Sequence, residues 1–255
     1  MMVQRRAVIV CLVLAAGGSP SGWADDAAWL RQRGTLLFKD SFDREEEGNL
    51  AAAIGNGWNS ATANRVPQIK QADLDGGVLK VTSAVEAGHQ AHMHHPAGFK
   101  DGGAIARFKL PGASKAETLT VGFVDRETTG IHAGHLCYAM ISSEPARIRL
   151  ADYKTGVMNL ELRGRRQKYL DAREPLPEDL TALLAAKERS FPWAADHEWH
   201  ELVLVTQGDE MRVSLDGRLV GSHRSEGFAH PVKRWFSLLM NPTAWVDEVE
   251  VWKVE

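Results

Sequence analysis

The sequence predicts an all-β protein, a two-sheet antiparallel sandwich or jelly roll with one short helical insertion. Three observations carry this. About a dozen short apolar runs are separated by turn residues at regular spacing. Several of them alternate apolar and polar residues, as a half-buried antiparallel strand requires. Only one segment has strong helix signals. The 255 residues are 44% hydrophobic and 25% charged, with Gly 23 and Pro 10, the balance of an ordinary globular protein. A formal net charge of −3 leaves no basic stripe to neutralise phosphates, so nucleic acid is not expected as a partner.

From the amino terminus, Arg5 and Arg6 precede an apolar run, Ala7 to Ala16, and a polar stretch ending at the small residue Ala24. This predicts a secretory signal over 1–24, cleaved after Ala24, and hence a secreted or periplasmic protein. The apolar run is far short of the roughly 20 residues that span a membrane, so no membrane span is expected. Cleavage removes Cys11 and leaves Cys137 alone, which rules out an internal disulfide. Residues 25–34 read as a short amphipathic lead segment and 35–255 as one sandwich domain.

Thr35 to Phe42 is the first expected strand. Gln68 to Lys70 and Val78 to Thr82 flank Asp73-Leu74-Asp75-Gly76-Gly77, which reads as a hairpin. Further strands are expected at Gln90 to His95, Ala104 to Leu110, Leu119 to Val124, His135 to Ser142 and Ala146 to Asp152. Trp199 to Thr206, Glu210 to Leu215 and Leu219 to His223 follow, with Asp216-Gly217 as the strongest two-residue hairpin signal. Trp235 to Met240 and Trp245 to Val254 close the chain. Met211, Val213 and Leu215 fall on one face of their strand, Arg212 and Ser214 on the other. The helix opens at Pro177-Glu178-Asp179 and covers Leu180 to Arg189, with acids at its positive end and Lys187 and Arg189 at the other. It belongs to an Arg-rich insertion, about 153–198, that lies over one face or edge.

The opening LLFKDSFDRE, the hairpin LDGGVLKVT, the segment WHELVLVTQGDEMRVSLDGRLVG and the closing WVDEVEVWKV resemble the concanavalin A-like lectin/glucanase superfamily. Within it the chain most resembles the exported 3-keto-disaccharide hydrolase domain proteins, often labelled family 16 glycoside hydrolase-like. The resemblance implies a concanavalin-like jelly roll and a carbohydrate as substrate or ligand. The Asn-Ser-Gly stretch of the commoner members is missing, and Val121 to Arg126 lies near its place. The superfamily holds lectins, hydrolases and lyases, so the resemblance leaves two readings open. One is a glycosidase or keto-glycoside hydrolase or lyase; the other is a non-catalytic glycan-binding module.

Family 16 glucanases carry their carboxylates as Glu-x-Asp-x-x-Glu on one strand. The only similar string, Asp247-Glu248-Val249-Glu250, is incomplete and reads as a solvated last strand, with Val246, Glu248, Glu250 and Trp252 on one face. Histidine is more informative. Of 10 in the chain, His89, His92, His94 and His95 fall within seven residues. In a strand His92 and His94 share a face, placed to do acid/base work or to hold a divalent metal. His132 and His135 form a second set; His197 and His200 a third.

The expected catalytic set is His92, His94 and His135 with Asp125 or Asp152 as the orienting carboxylate. His92, His94 and His135 are also the expected ligands if one divalent metal (Mn, Zn or Fe) is used. Trp58, in a Gly- and Asn-rich loop, reads either as a platform for a sugar ring or as a plug of the sandwich end, and Arg126, His95 and Lys154 are expected as further substrate contacts. The basic residues Arg163, Arg165, Arg166, Lys168 and Arg173 suit a carboxylate or sulfate on a sugar. For a 3-keto sugar, the carbonyl acidifies the neighbouring C–H, a base removes that proton, and the glycosyl oxygen departs.

Overall fold

A computed structural model describes residues 25–46, 48 and 54–255. The expected export signal, 1–24, lies outside them. Fifteen strands among the described residues build two antiparallel sheets packed face to face, the predicted sandwich. The eight-stranded sheet comprises β1 (Gly34–Asp40), β3 (Ala72–Leu74), β4 (Leu79–Thr82), β6 (Asp101–Lys109), β11 (Trp199–Gln207), β12 (Glu210–Leu215), β13 (Arg218–Arg224) and β15 (Thr243–Val254). Its order is β13-β12-β11-β6-β15-β4-β3, and β1 pairs with the far half of β15. The seven-stranded sheet comprises β2 (Asn59–Ser60), β5 (Ala91–Phe99), β7 (Thr118–Val124), β8 (His135–Ser143), β9 (Ala146–Asp152), β10 (Glu188–Pro192) and β14 (Lys233–Asn241), in the order β10-β9-β8-β7-β14-β5-β2. The early hairpin is displaced: its first arm is Ala72–Leu74 rather than Gln68 to Lys70, because only two residues, Gly76 and Gly77, are needed to turn the chain.

Alternation along each strand sends one set of side chains into the single core between the sheets. Phe108, Val213, Leu204 and Val249 enter from one side and Phe123, Val121, Phe236 and Leu238 from the other. Phe99 meets Phe123 edge-on, centroids 4.9 Å apart. Cys137 is fully buried in this core, and burial pushes its thiol up to about 12, so it packs as a small hydrophobe.

The outer face of the eight-stranded sheet is covered by helix α1 (Asp26–Arg33), which the lead segment forms. Asp25 caps it, accepting from the amides of Ala27 and Ala28. Leu30 and Ala27 sit on Ile105, Val203 and Val205. Arg212 and Ser214, on the polar face of β12, are therefore buried rather than solvated. Asp26 takes Arg212 Nε at 2.7 Å and Ser214 Oγ at 2.6 Å.

The carboxylates of β15 lie on this same covered sheet. A bulge at Asp247 breaks the simple alternation: Val246 enters the core, while Glu248 and Glu250 face outward. Glu250 accepts from Arg31, Lys39 and the Trp252 indole, Glu248 pairs with Lys39, and Asp247 pairs with Arg107. They form an ion-pair lattice.

The insertion holds two helices, not one. Helix α3 (Glu178–Ala186) ends two residues before Glu188, where the chain turns into β10 and pairs with β9. Helix α2 (Leu160–Ala172) has no buried residue; its cap is Asn159, which accepts from the amides of Glu161 and Leu162. With no apolar face it gives no periodic signal, which is why the sequence hides it.

Trp58 is not a sugar platform. It is 2% exposed and plugs one end of the sandwich among Phe38, Phe42 and Phe236. Its indole donates to Asp40 Oδ2 at 2.8 Å, and Asp40 also holds Arg44 and the Phe42 amide. Gly57 lets the loop reach this plug, since its φ is +80° and a Cβ there would approach His95 Nε2 to 2.9 Å. Trp58→Ala is expected to lower stability by about 3–5 kcal/mol, read by denaturant unfolding; a loss below about 1 kcal/mol would contradict the plug.

Candidate active site on the outer face of the seven-stranded sheet

Strand parity builds the site. In β5, Ala91 and Met93 enter the core, so His92 and His94 face out. On the neighbouring strands Trp235 and Ser237 of β14, Thr120 and Gly122 of β7, Tyr138 and Met140 of β8 and Arg147 and Arg149 of β9 alternate with core residues. One register row runs His94–Ser237–Gly122–Tyr138, and the next runs His92–Leu239–Thr120–Met140–Arg149.

His135 joins this face through a bulge. Strict alternation would place it beside Cys137 in the core, but the register shifts between Phe123 and Val124. Leu136 and Cys137 are then both buried, and His135 comes round to the side of Tyr138. Gly122 supplies the room: a Cβ there would lie 2.4 Å from the Tyr138 ring.

The imidazoles from two sequence segments do meet. His92 lies 5.7 Å from His94 and 5.9 Å from His135, ring centre to ring centre, and His132 lies 6.4 Å from His135. His92 Nε2 is 3.1 Å from Ser237 Oγ, and His94 Nδ1 is 3.4 Å from Arg126. His135 Nδ1 shares a short hydrogen bond with the Tyr138 hydroxyl. Arg126 also lies over the Trp235 ring, against which His94 packs edge-on.

Burial, with the neighbouring positive charges second, keeps these rings neutral. It pushes His92 down to about 3, with His135, His94 and Arg126 adding to the effect. His94 falls to about 4 through burial and Arg126, and His135 to about 4 through burial and His132. Burial also raises the Tyr138 phenol, so it keeps its proton. Beside these groups opens a cleft of about 440 Å³ whose walls include His89, Gln90, His135, Tyr138, Arg147 and Arg149. Among the described residues no Asp or Glu lines it.

The other expected site residues fall elsewhere. Asp125 is buried and holds His230 Nε2 at 2.9 Å and Arg234 Nε at 3.1 Å, so it ties loops rather than orienting the cluster. Asp152 points to the core side of β9. It accepts from the amide and hydroxyl of Thr155, from Ser225 Oγ and from the Gly227 amide, a loop staple. Lys154 stands near His230 and Lys233, not in the cleft. His95 faces inward and stacks on Phe38 at 3.4 Å.

One nitrogen of each of His92, His94 and His135 is engaged by Ser237, Arg126 or Tyr138, and among the described residues no three His, Cys, Asp or Glu side chains are arranged to hold a metal ion. Sequence reasoning missed Tyr138, Ser237, Gln90, Arg147 and Arg149; the outward parity of β8, β9 and β14 was the signal that marks most of them.

The two-sheet antiparallel jelly roll is a fold shared with solved glycan-cleaving enzymes. A laminarinase from Rhodothermus marinus superposes with a TM-score of 0.57 at 16% identity, over 87% of this chain and 98% of that one. A laminarinase from Flavobacterium sp. UMI-01 gives 0.54 at 13%, over 86% and 100%. Porphyranase B from Zobellia galactanivorans gives 0.52 at 11%, over 87% and 94%. At these identities the likeness is one of fold. No family model matches the sequence, and no curated protein does.

Because the folded pKa values of His92, His94 and His135 lie below the value near 6.5 of an unfolded histidine, stability falls as pH drops below about 6.5 and goes on falling toward about 4 and about 3. His92→Gln should therefore lose less stability than the parent between about pH 7.5 and pH 4.5 in denaturant titrations; equal losses would contradict the buried neutral ring. His200 behaves oppositely. Burial opposes its charge, but hydrogen bonds from its ring to Asp216 and Asp196, at 2.7 and 2.8 Å, outweigh that and raise its pKa. Its contribution is fully present below about pH 6.5 and lost as pH rises through the folded value. His200→Gln should cost more stability at about pH 6 than at about pH 9, and a pH-independent cost would overturn the clamp.

Proposed function

We propose that this chain cleaves a glycosidic bond, in a saccharide or 3-keto-saccharide, by imidazole and tyrosine acid–base chemistry on the outer face of the seven-stranded sheet. The observation that carries the reading is a neutral His135, hydrogen-bonded to the protonated Tyr138, in the wall of a cleft that no carboxylate among the described residues lines. A retaining or inverting glycosidase needs two carboxyl groups flanking the bond, and the β15 carboxylates that come nearest that pattern are ion-paired on the other sheet. The fold shared with laminarinases supports a glycan as the substrate. The N-terminal segment 1–24 supports action outside the cytoplasm.

Without a carboxylate pair, the accessible route is removal of a proton from a carbon beside an electron-withdrawing group. His135 is the base: with its Nδ1–H donating to the Tyr138 oxygen, Nε2 keeps its lone pair. In a 3-keto sugar the C2–H proton passes to that nitrogen and its electron pair moves into the enolate. The enolate collapses to a C1–C2 double bond and the C1–O bond breaks. The departing oxygen takes a proton from a neutral donor of the cleft. Tyr138 is a positioning residue that fixes the imidazole tautomer.

The test is product release from plain and 3-keto disaccharides, with and without a chelator. Release from the keto substrates that persists in chelator supports the reading, chelator-sensitive release would put a metal into the mechanism, and release from plain glycans alone would overturn the elimination. On the keto substrate, kcat/KM should rise with pH through an acid limb near about 4, the value at which His135 deprotonates, and be flat at neutrality. His135→Ala should lower kcat about 10²–10⁴-fold; an acid limb near about 6.5, or undiminished turnover by His135→Ala, would contradict the assignment.

A further inference from the structure

The two sides of the cleft differ in what they offer a ligand. Towards β5, His89 and Gln90 present an imidazole and an amide. Towards β8 and β9 the wall is carbon and sulfur: Met140, Tyr153 and Met158, with Leu239 beside them on β14. The polar atoms of this wall are engaged with one another. The Tyr153 hydroxyl donates to Met140 Sδ at 3.4 Å, and Arg149 bonds the same sulfur at 3.1 Å and Glu188 at 2.9 Å. Leu239 packs in a small cluster with Val124 and Tyr138, against which Met140 and Tyr153 rest. Met158 is fixed by its own backbone: its amide donates to the Tyr153 carbonyl at 3.1 Å, and its carbonyl accepts from the His132 amide at 2.8 Å.

This wall begins at the base itself. The Tyr153 ring stands edge-on to His135 with centroids 6.5 Å apart, and lies 5.1 Å from the Tyr138 ring. A second sugar pressed against it would exchange water for carbon and sulfur at its hydroxyls, which costs free energy. An apolar group gains from the same contact. An aromatic ring gains most, because tyrosine rings and thioether sulfurs both make favourable contacts with one. Unbranched methionine side chains also adapt to the shape of what they meet.

We propose that the leaving group is an apolar aglycone carrying an aromatic ring, seated on Met140, Tyr153, Met158 and Leu239 beside His135. This inference rests on the acid–base reading above and names the part of the substrate next to the reacting sugar. The C2–H proton passes to His135 and its electron pair ends in the C1–C2 double bond. The C1–O pair stays with the aglycone oxygen, which takes a proton from a neutral donor of the cleft and departs as an alcohol. The other product is the unsaturated keto sugar, and no water, oxidant or reductant is consumed. Contact with a group remote from the reacting carbon holds C2–H at the imidazole, so it is read in kcat/KM.

Three substrates with the same 3-keto sugar decide the matter: its methyl glycoside, its benzyl glycoside and a disaccharide. Methanol and benzyl alcohol are closely matched as leaving groups, so the benzyl-to-methyl ratio of kcat/KM reads the wall and not the chemistry of departure. Burying a phenyl ring is worth about tenfold or more, so a ratio of about ten or above is expected, with the benzyl glycoside also ahead of the disaccharide. Met140→Gln and Met158→Gln keep the side-chain length and set an amide in the wall, and each should bring the ratio down towards one. Should a variant fail to fold, the parent ratio still decides. A parent ratio near one, a preference for the disaccharide, or a ratio that neither substitution moves would overturn this inference and leave the broader reading standing. No turnover of any of the three would overturn both.

Discussion

Three imidazoles buried against one sheet face, with no carboxylate among the described residues hydrogen-bonded to them, set the terms for the rest of the site. A half-buried histidine held between two aspartates has its pKa raised, as in the His200 clamp on the other sheet. Remove the acid and add burial, and the same ring stays neutral with a lone pair to offer. Arg126 strengthens this from one side and the mutual repulsion of His92, His94 and His135 from within. The neutrality of these rings comes from what is kept away from them.

The sandwich enforces that separation. Acidic side chains of the sandwich are committed elsewhere. Glu248 and Glu250 are locked to Lys39 and Arg31 on the eight-stranded sheet, and Asp152 is folded into a loop staple. Two local departures from regular strand geometry then finish the site. The bulge beside Val124 swings His135 out of the core, and Gly122 leaves the space that the Tyr138 ring takes. A regular strand with an alanine at position 122 would have neither.

Much of this was legible in the sequence, and the exceptions have physical causes. Asp216-Gly217 forecast its hairpin because only a few residues tolerate the positive φ that Asp216 and Gly217 adopt. The shared face of His92 and His94 followed from parity alone. Trp58 could be read as platform or plug, and Asp125 and Asp152 were placed in the site, because a buried indole and a buried carboxylate look the same in sequence as exposed ones; their partners, Asp40, His230 and Ser225, come from distant strands and loops. The meeting of His92 with His135 depends on strand order, since β14 and β7 lie between β5 and β8. The burial of Arg212 was not legible because nothing in β12 reveals that α1 will cover its polar face.

The most direct test of the central claim is a titration of the individual histidine rings by NMR in the full chain. The account predicts that His92 stays neutral to about pH 3 and that His94 and His135 protonate near about 4, while His200 protonates above the ordinary histidine value. Midpoints for His92, His94 and His135 near the ordinary value of about 6.5 would mean that water reaches these rings and that the site is not the desolvated base cluster described.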